Sequence, residues 1–448
     1  MAYIIRGLTA DYEHFGDKKS LDAARNLADY FVARASAEPD RILGGPRRTS
    51  WMMTSGFDSG LLDLGKQTGD QRYLEFCRNV HKVPDWDVEI VTGRFGRITN
   101  HAYGYQSRCI DQIAFYRHDR DPKLLKRSRG MLGETCATVY LIEFLDAMIR
   151  LEGDSSYGDL MERAIYNALF TAQSPDGRRL RYYSPTDGPK IYWRGDTYCC
   201  PCNFRRGLAE LPARVYYFSD GGPVVNIYTA STVKMKLDDD LSVTLKQETD
   251  YPNSGKVKLQ ITPSRPATFP IRLQIPGWAT ESTIAINGQP VKGTHRPGTF
   301  ALITSDWKAG DTIELDMPMS WRFVRGRKAQ SGRAAIMRGP VVFCLGLTDN
   351  PKLAKMRLED IAIHPETIEG PFPDDTVRPD GMACRIKAVR PGKHISREPD
   401  LSLLLRECPD PAGRLTFFLV PHSNAKEIVD DELLSGSTAD KKSATASQ

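Results

Sequence analysis

The chain has 448 residues, of which 61 are basic and 56 acidic, giving a net charge of +5; 40% of residues are hydrophobic and 26% charged. That length exceeds one ordinary domain and predicts two or three. The two signs of charge are interspersed, which excludes nucleic acid or an anionic membrane surface as partner, and no apolar run reaches the ~20 residues of a membrane helix.

The opening Met1-Ala2-Tyr3-Ile4-Ile5-Arg6 has neither the basic and apolar stretches nor the cleavage site of an export signal. As written the chain reads as cytoplasmic, with a lost natural start as the other reading. A helical pattern begins almost at once. Leu21, Ala24, Leu27, Ala28, Phe31 and Val32 form one apolar stripe at helical spacing, and so do Tyr140, Leu141, Phe144, Leu145 and Met148, then Leu160, Met161, Ala164, Ile165 and Leu169. Between such stripes stand Gly16-Asp17, Gly69-Asp70 and Gly153-Asp154. Glycine suits the left-handed residue after a helix end, and aspartate suits the cap of the next helix. Helix pairs repeated in this way suggest a helical array or toroid. The basic run Lys123 to Arg129 reads as a solvated helix face.

Near Gly221-Gly222-Pro223 the period changes to two. Leu241, Val243 and Leu245 alternate with polar residues, as do Val257, Leu259 and Ile261, then Ile271, Leu273 and Ile275, then Ile313, Leu315 and Met317. Alternation between turn residues means antiparallel strands, most simply a β-sandwich. The expected organisation is a multidomain α + β chain: an incomplete helical (α/α) toroid over 1–218, a β-sandwich over 219–325, a second, smaller β-rich domain over 326–434 and a disordered tail over 435–448.

Nine cysteines, an odd and scattered set, argue against a disulfide framework. Cys199-Cys200-Pro201-Cys202 is a local concentration that calls for a chemical reason. It is expected in a loop before a helix, where an irregular backbone aims adjacent side chains inward. Glu134-Thr135-Cys136 opens a helical stripe. Glutamate and cysteine are both tetrahedral zinc ligands, but spacing alone leaves Cys199 with Cys200, or Cys199 with Cys202, as the partner pair. Buried small thiols are the bland reading. Cys202 reads as a spare ligand or a packed thiol. His81, His118 and His295 read as exposed; Trp51 and Trp193 read as core residues, with sugar stacking as the alternative.

Gly133-Glu134-Thr135-Cys136-Ala137, the stretch from Glu152-Gly153-Asp154 through Glu162-Arg163-Ala164-Ile165-Tyr166-Asn167, and Cys199-Cys200-Pro201 together resemble glycoside hydrolase family 127, typified by non-reducing-end β-L-arabinofuranosidases. Ile275-Pro276-Gly277-Trp278-Ala279, Ile286-Asn287-Gly288, Trp307-Lys308-Ala309-Gly310-Asp311 and Arg338-Gly339-Pro340 extend the resemblance through the β region, to about residue 350. It implies an (α/α)6 toroid followed by β-sandwich domains, a Zn2+ held by Glu134, Cys136, Cys199 and Cys200, and Cys199 as nucleophile of a retaining glycosidase. Sugar contacts fall to Glu162, to Tyr182 (with Tyr183 as the alternative) and to His101, for which a helix-capping or surface role is the alternative. The substrate implied is terminal β-L-arabinofuranose, or a related sugar, on plant-type glycans.

The sequence departs from the family twice. Leu124 to Gly133 contains no carboxylate where the family places its general acid, and the family's opening helices are absent. Asp119 and Asp121 read as helix caps. A toroid short of helices exposes apolar faces, which favours homo-oligomerisation. A catalytically impaired, zinc-stabilised carbohydrate-binding or scaffold protein is therefore the rival expectation.

Overall fold

The computed structural model describes residues 2–43, 56–85, 111, 114–115, 134–193, 199–291, 293, 295–326, 330–390 and 398–435. Lys123 to Arg129, Asp119, Asp121, His118, Trp51, His101 and the tail beyond 435 lie outside the described residues. By contacts the chain divides into two units, Met1–Ala147 and Met148–Gln448.

In the first unit α1 (Ala2–Phe15), α2 (Lys18–Ala37) and α3 (Phe57–Thr68) pack around one apolar cluster. The expected stripe of α2 is the buried one: Leu21, Ala24, Ala28, Phe31 and Ala35 face the cluster, spaced by three and four, and Leu27 and Val32 flank it. Phe31 meets Phe57 with ring centroids 3.6 Å apart. The unit ends inside α4 (Thr135–Glu152), a helix that continues into the second unit.

The glycine–aspartate junctions form as expected. Gly16, Gly69 and Gly153 have φ of 71°, 73° and 68°, a left-handed conformation that costs a residue with a Cβ about 1 kcal/mol or more. Their N–H groups return to the carbonyls of Tyr12, Gly65 and Ile149, each at 2.8 Å. The following aspartates then accept backbone N–H groups of the next segment, Asp17 from Lys19 at 2.9 Å, Asp70 from Arg72 at 3.0 Å and Asp154 from Ser156 at 2.9 Å.

The second unit carries α5 (Ser156–Ala164), extended by a wider turn to Leu169, and α6 (Cys199–Glu210). Ten strands follow: β1 (Tyr216–Ser219), β2 (Gly222–Val225), β3 (Ser231–Lys236), β4 (Ser242–Thr249), β5 (Lys256–Pro263), β6 (Ala267–Ile275), β7 (Thr283–Ile286), β8 (Gln289–Pro290), β9 (Thr299–Trp307) and β10 (Asp311–Asp316). They form a four-stranded sheet in the order β1-β2-β6-β9 and a six-stranded sheet in the order β3-β4-β5-β10-β7-β8. Every pairing is antiparallel except β2 with β6.

The period-two residues explain the core. Val257, Leu259 and Ile261 of β5 and Ile271, Leu273 and Ile275 of β6 come from different sheets, yet all are buried in one cluster. Each such side chain contributes roughly 1.5–3 kcal/mol on burial. Trp307 is fully buried there, and its indole N–H donates to the Phe269 carbonyl at 2.9 Å, so no polar atom is stranded.

A third, ten-stranded sheet includes β11 (Trp321–Arg325), β12 (Arg333–Arg338), β13 (Val341–Gly346) and later strands at Met382–Val389 and Leu401–Glu407. Arg322 and Arg325 belong to strand β11, which ends at the expected 325/326 boundary. Among the described residues no helix is long and apolar enough to cross a membrane.

At Gly222 a side-chain carbon would overlap the backbone carbonyl of Pro270 across the β2–β6 pairing. Gly222→Ala is expected to destabilise the protein by about 1–3 kcal/mol. Urea unfolding followed by tryptophan fluorescence checks this; a midpoint equal to that of the parent chain would contradict the close approach.

Candidate metal centre

Glu134 immediately precedes α4, and its carbonyl accepts the Thr138 N–H at 3.0 Å, so it occupies the cap of that helix, with Cys136 in the first turn. Cys199 and Cys200 are the first two residues of α6. They therefore open a helix, where a preceding loop was expected. Pro201 is compatible with this because a first-turn residue has no helical partner for its N–H.

One ligand atom from each of Glu134, Cys136, Cys199 and Cys200 lies within 4.8 Å of all the others. Glu134, Cys136 and Cys200 are buried, while Cys199 is partly exposed. In a first turn the backbone is only beginning to wind, and there adjacent cysteines can turn toward one point. Cys202 is exposed and outside the cluster, so it is neither a ligand nor a packed thiol.

The chemistry of this donor set is that of a cation site. Four acidic groups gathered in a largely buried volume repel one another once ionised. Two helix N-termini offset part of that charge, and a metal ion offsets far more. Tetrahedral coordination at ordinary metal–sulfur lengths holds sulfurs about 3.8 Å apart, inside the 4.8 Å within which the four ligand atoms lie. The cluster can hold a metal ion.

The remaining expected site residues are placed differently. Glu162, on α5, is buried, and the Tyr251 hydroxyl donates to it at 2.8 Å. Burial pushes its carboxyl up to about 8, although the Tyr251 hydrogen bond pulls the other way. One turn earlier, Asp159 accepts from the Gln274 amide at 2.6 Å and the Gly277 N–H at 2.7 Å, and burial pushes it up to about 7. Arg163, on the same helix, pairs with Asp431 at 3.0 Å and Glu432 at 2.6 Å. Tyr182 is half-buried, its ring 4.7 Å from Tyr183 and 5.2 Å from Trp193. Trp193 and Tyr183 are 51% and 58% exposed, so Trp193 is a surface aromatic and not the core residue expected.

His81, expected at the surface, is buried in the first unit with Nδ1 2.7 Å from the Asp58 carboxylate. Asp111, close to Asp58, accepts the Gly56 and Ser59 N–H groups at 2.8 and 2.9 Å, at the start of α3. Nothing local announces partners this far apart in the chain. His295 is half-buried rather than exposed, and partial burial lowers its pKa.

Several of the motifs shared with the family bond to one another. Asn167 donates to the Pro340 carbonyl and accepts the Val342 N–H, both at 2.8 Å, joining α5's extension to the Arg338-Gly339-Pro340 turn. Gly277 of the Pro-Gly-Trp segment meets Asp159. Asn287 bonds Asp311 at 3.0 Å, and Asp311 in turn accepts the Lys308 N–H at 2.8 Å.

Comparison with known proteins agrees. A model of the GH127 β-L-arabinofuranosidase catalytic domain matches residues 91–213, and one of the GH127 middle domain matches residues 223–319. The chain belongs to glycoside hydrolase family 127. Within the family it is 32% identical over 329 residues to a non-reducing end β-L-arabinofuranosidase of Bifidobacterium longum subsp. longum, a match covering 67% of this chain and 46% of that protein. The chain thus spans about half the length of that family-127 relative. A solved GH127 β-L-arabinofuranosidase from Geobacillus stearothermophilus T6 has 21% identity and a TM-score of 0.75, covering 94% of this chain and 79% of that one. A solved GH127 β-arabinofuranosidase has 22% identity and a TM-score of 0.74, covering 96% of this chain and 77% of that one. At these identities the two structures speak for the fold.

The buried carboxyls make stability depend on pH. Folding raises both Asp159 and Glu162 above their ordinary values, so their contribution is fully present below about pH 4 and is lost as pH rises through 7 and 8. Glu162→Gln keeps the buried group neutral. The drop in unfolding midpoint between pH 5 and pH 8 is expected to be shallower in this variant than in the parent. Equal slopes would show that Glu162 keeps an ordinary pKa.

Proposed function

We propose that this chain is a zinc-dependent, retaining glycoside hydrolase whose nucleophile is Cys199, releasing terminal β-L-arabinofuranose or a related sugar from plant-type glycans. The observation that carries the reading is the converged set of Glu134, Cys136, Cys199 and Cys200, in which Cys199 alone is open to a substrate. The name of the Bifidobacterium relative supports the sugar, the likeness to solved GH127 structures supports a common fold, and the (α/α)6 toroid with β-sandwich domains is the form we propose for it.

Glu134, Cys136, Cys199 and Cys200 would hold the ion; three sulfurs and a carboxylate suit zinc. Zinc, when bound, keeps its sulfur ligands deprotonated at neutral pH. The partial positive charge at the start of α6 acts on Cys199 in the same direction. Cys199 attacks the anomeric carbon, a carbon–sulfur bond forms, and the bond to the departing oxygen breaks. Water then displaces the sulfur from the other side, so two inversions return the original configuration. Glu162, Tyr182 and His101 are the residues assigned to the sugar. Of these, Glu162 acts as a neutral hydrogen-bonding group, given its raised pKa.

The departing oxygen needs a proton, and Leu124 to Gly133 supplies no carboxylate for it. General acid catalysis is worth roughly 10²–10⁴-fold. That gap favours a second reading, a catalytically impaired, zinc-stabilised carbohydrate-binding or scaffold protein. An aryl β-L-arabinofuranoside with an acidic phenol separates the two, because its leaving group departs with little protonation.

Cys199→Ser is expected to lower kcat on that substrate by on the order of 10³-fold or more; undiminished turnover would remove the nucleophile assignment. Cys136→Ala is expected to lose bound zinc by elemental analysis, whereas Cys202→Ser retains it. A parent protein that binds arabinose but leaves the aryl substrate intact would favour the impaired reading.

A further inference from the structure

Lys190 is buried in the second unit, in the segment that leads toward Cys199, and its Nζ faces sulfur: it lies 3.8 Å from Cys344 Sγ and 3.9 Å from Cys408 Sγ. Its other contacts among the described residues are the carbonyls of Cys408 and of Asp410, the latter at 3.3 Å. The sheet supplies the pairing of the two thiols. Cys344 sits opposite Arg406 in the ladder between β13 and Leu401–Glu407, and the Cys408 N–H bonds the Val342 carbonyl at 2.7 Å, one step further along. With a side-chain period of two, Cys344 and Cys408 therefore occupy one face on adjacent strands.

The cluster also dictates its surroundings. A Cβ at Gly413 would stand 2.6 Å from Cys344 Sγ and 2.7 Å from Lys190 Nζ, so the turn after Asp410 has to be bare there.

We propose that Cys344 and Cys408 form a peroxide-reactive dithiol, with Cys408 as the attacking thiolate, Cys344 as the resolving thiol and Lys190 as the charge that holds the thiolate. Two thiols side by side in an apolar interior are normally inert, because burial disfavours the ionised form. Cys384 in the same sheet is such a case, its thiol pushed up by burial alone. At Cys408 the direction is reversed: the hydrogen bond from Cys344 and the charge of Lys190 hold its thiol below the ordinary range. Cys344, as the donor, is pushed up, first by that same bond and then by burial.

The oxidant is hydrogen peroxide, which is little larger than water. The Cys408 thiolate attacks one peroxide oxygen; a sulfur–oxygen bond forms, the oxygen–oxygen bond breaks, and hydroxide leaves and takes up a proton. Cys344 then attacks the sulfenic sulfur, the sulfur–sulfur bond forms, and the hydroxyl departs as water with the proton of Cys344. Two thiols become one disulfide while one peroxide becomes two waters. The product joins β13 covalently to the chain leaving Leu401–Glu407 and removes the thiolate that faces Lys190.

The test is peptide mapping of the full chain, reduced and then exposed to peroxide, with remaining thiols alkylated. The expected result is a Cys344–Cys408 cross-linked peptide that dithiothreitol reverses, with Cys384 still alkylated. In Cys344→Ser, dimedone is expected to label Cys408, and Lys190→Met is expected to slow the reaction at least ~10-fold. The proposal is overturned if Cys344 and Cys408 stay reduced while Cys202 oxidises, if Cys344 is the residue labelled in Cys408→Ser at an equal rate, or if the adduct joins Lys190 instead. Should Lys190→Met fail to fold, mapping of the parent chain and labelling of Cys344→Ser still decide.

Discussion

Ionised acidic groups do not gather in a protein interior unless something of opposite sign holds them, and this constraint organises the region around Glu134. A carboxylate and three thiols come within 4.8 Å of one another with three of the four buried. The chain brings both pairs in at first turns of helices, where unsatisfied N–H groups and the helix dipole supply partial positive charge. Such a half-charge is small against four acidic ligands, so the arrangement makes physical sense as a cation site. The four are unequally exposed: Glu134, Cys136 and Cys200 are buried, and Cys199 is partly exposed.

A second acidic group of residues solves the same problem without a cation. Asp159 and Glu162 are buried one turn apart on α5, and burial raises both, so that at mildly acidic pH they are neutral hydrogen-bonding groups rather than charges. Asp159 ties α5 to Gln274 and Gly277 of the β region, and Asn167 ties the same segment to Pro340 and Val342. Residues that look like scattered family motifs along the chain are thus, in large part, the two ends of the same hydrogen bonds. Lys190 with Cys344 and Cys408 is a third answer to buried charge, in which sulfur takes the place of the carboxylate.

How much of this was legible in advance depended on the range of the interaction. Leu21 to Val32 announced a helix and its buried face, and Val257, Leu259 and Ile261 announced a strand and its inner face, because side-chain period is a property of a few consecutive residues. Gly153-Asp154 announced a helix end and a new cap for the same reason. The Cys-Cys pair reads locally as a loop feature, since the sequence does not say that a helix begins on its first residue. His81 reads as exposed because its partner Asp58 stands 23 residues away on another segment.

By itself the sequence determined the class of the strongly periodic segments, the order of helical and strand regions, and the residues with the right chemistry to share a metal, the choice among them coming from resemblance to the family. Only the tertiary structure decided that a helix begins on Cys199, that Glu162 is held by Tyr251, and that Trp193 faces solvent. The physical reason is that propensity and periodicity act over one or two turns, whereas burial, pKa and ligand convergence are set by side chains that folding brings together from distant parts of the chain.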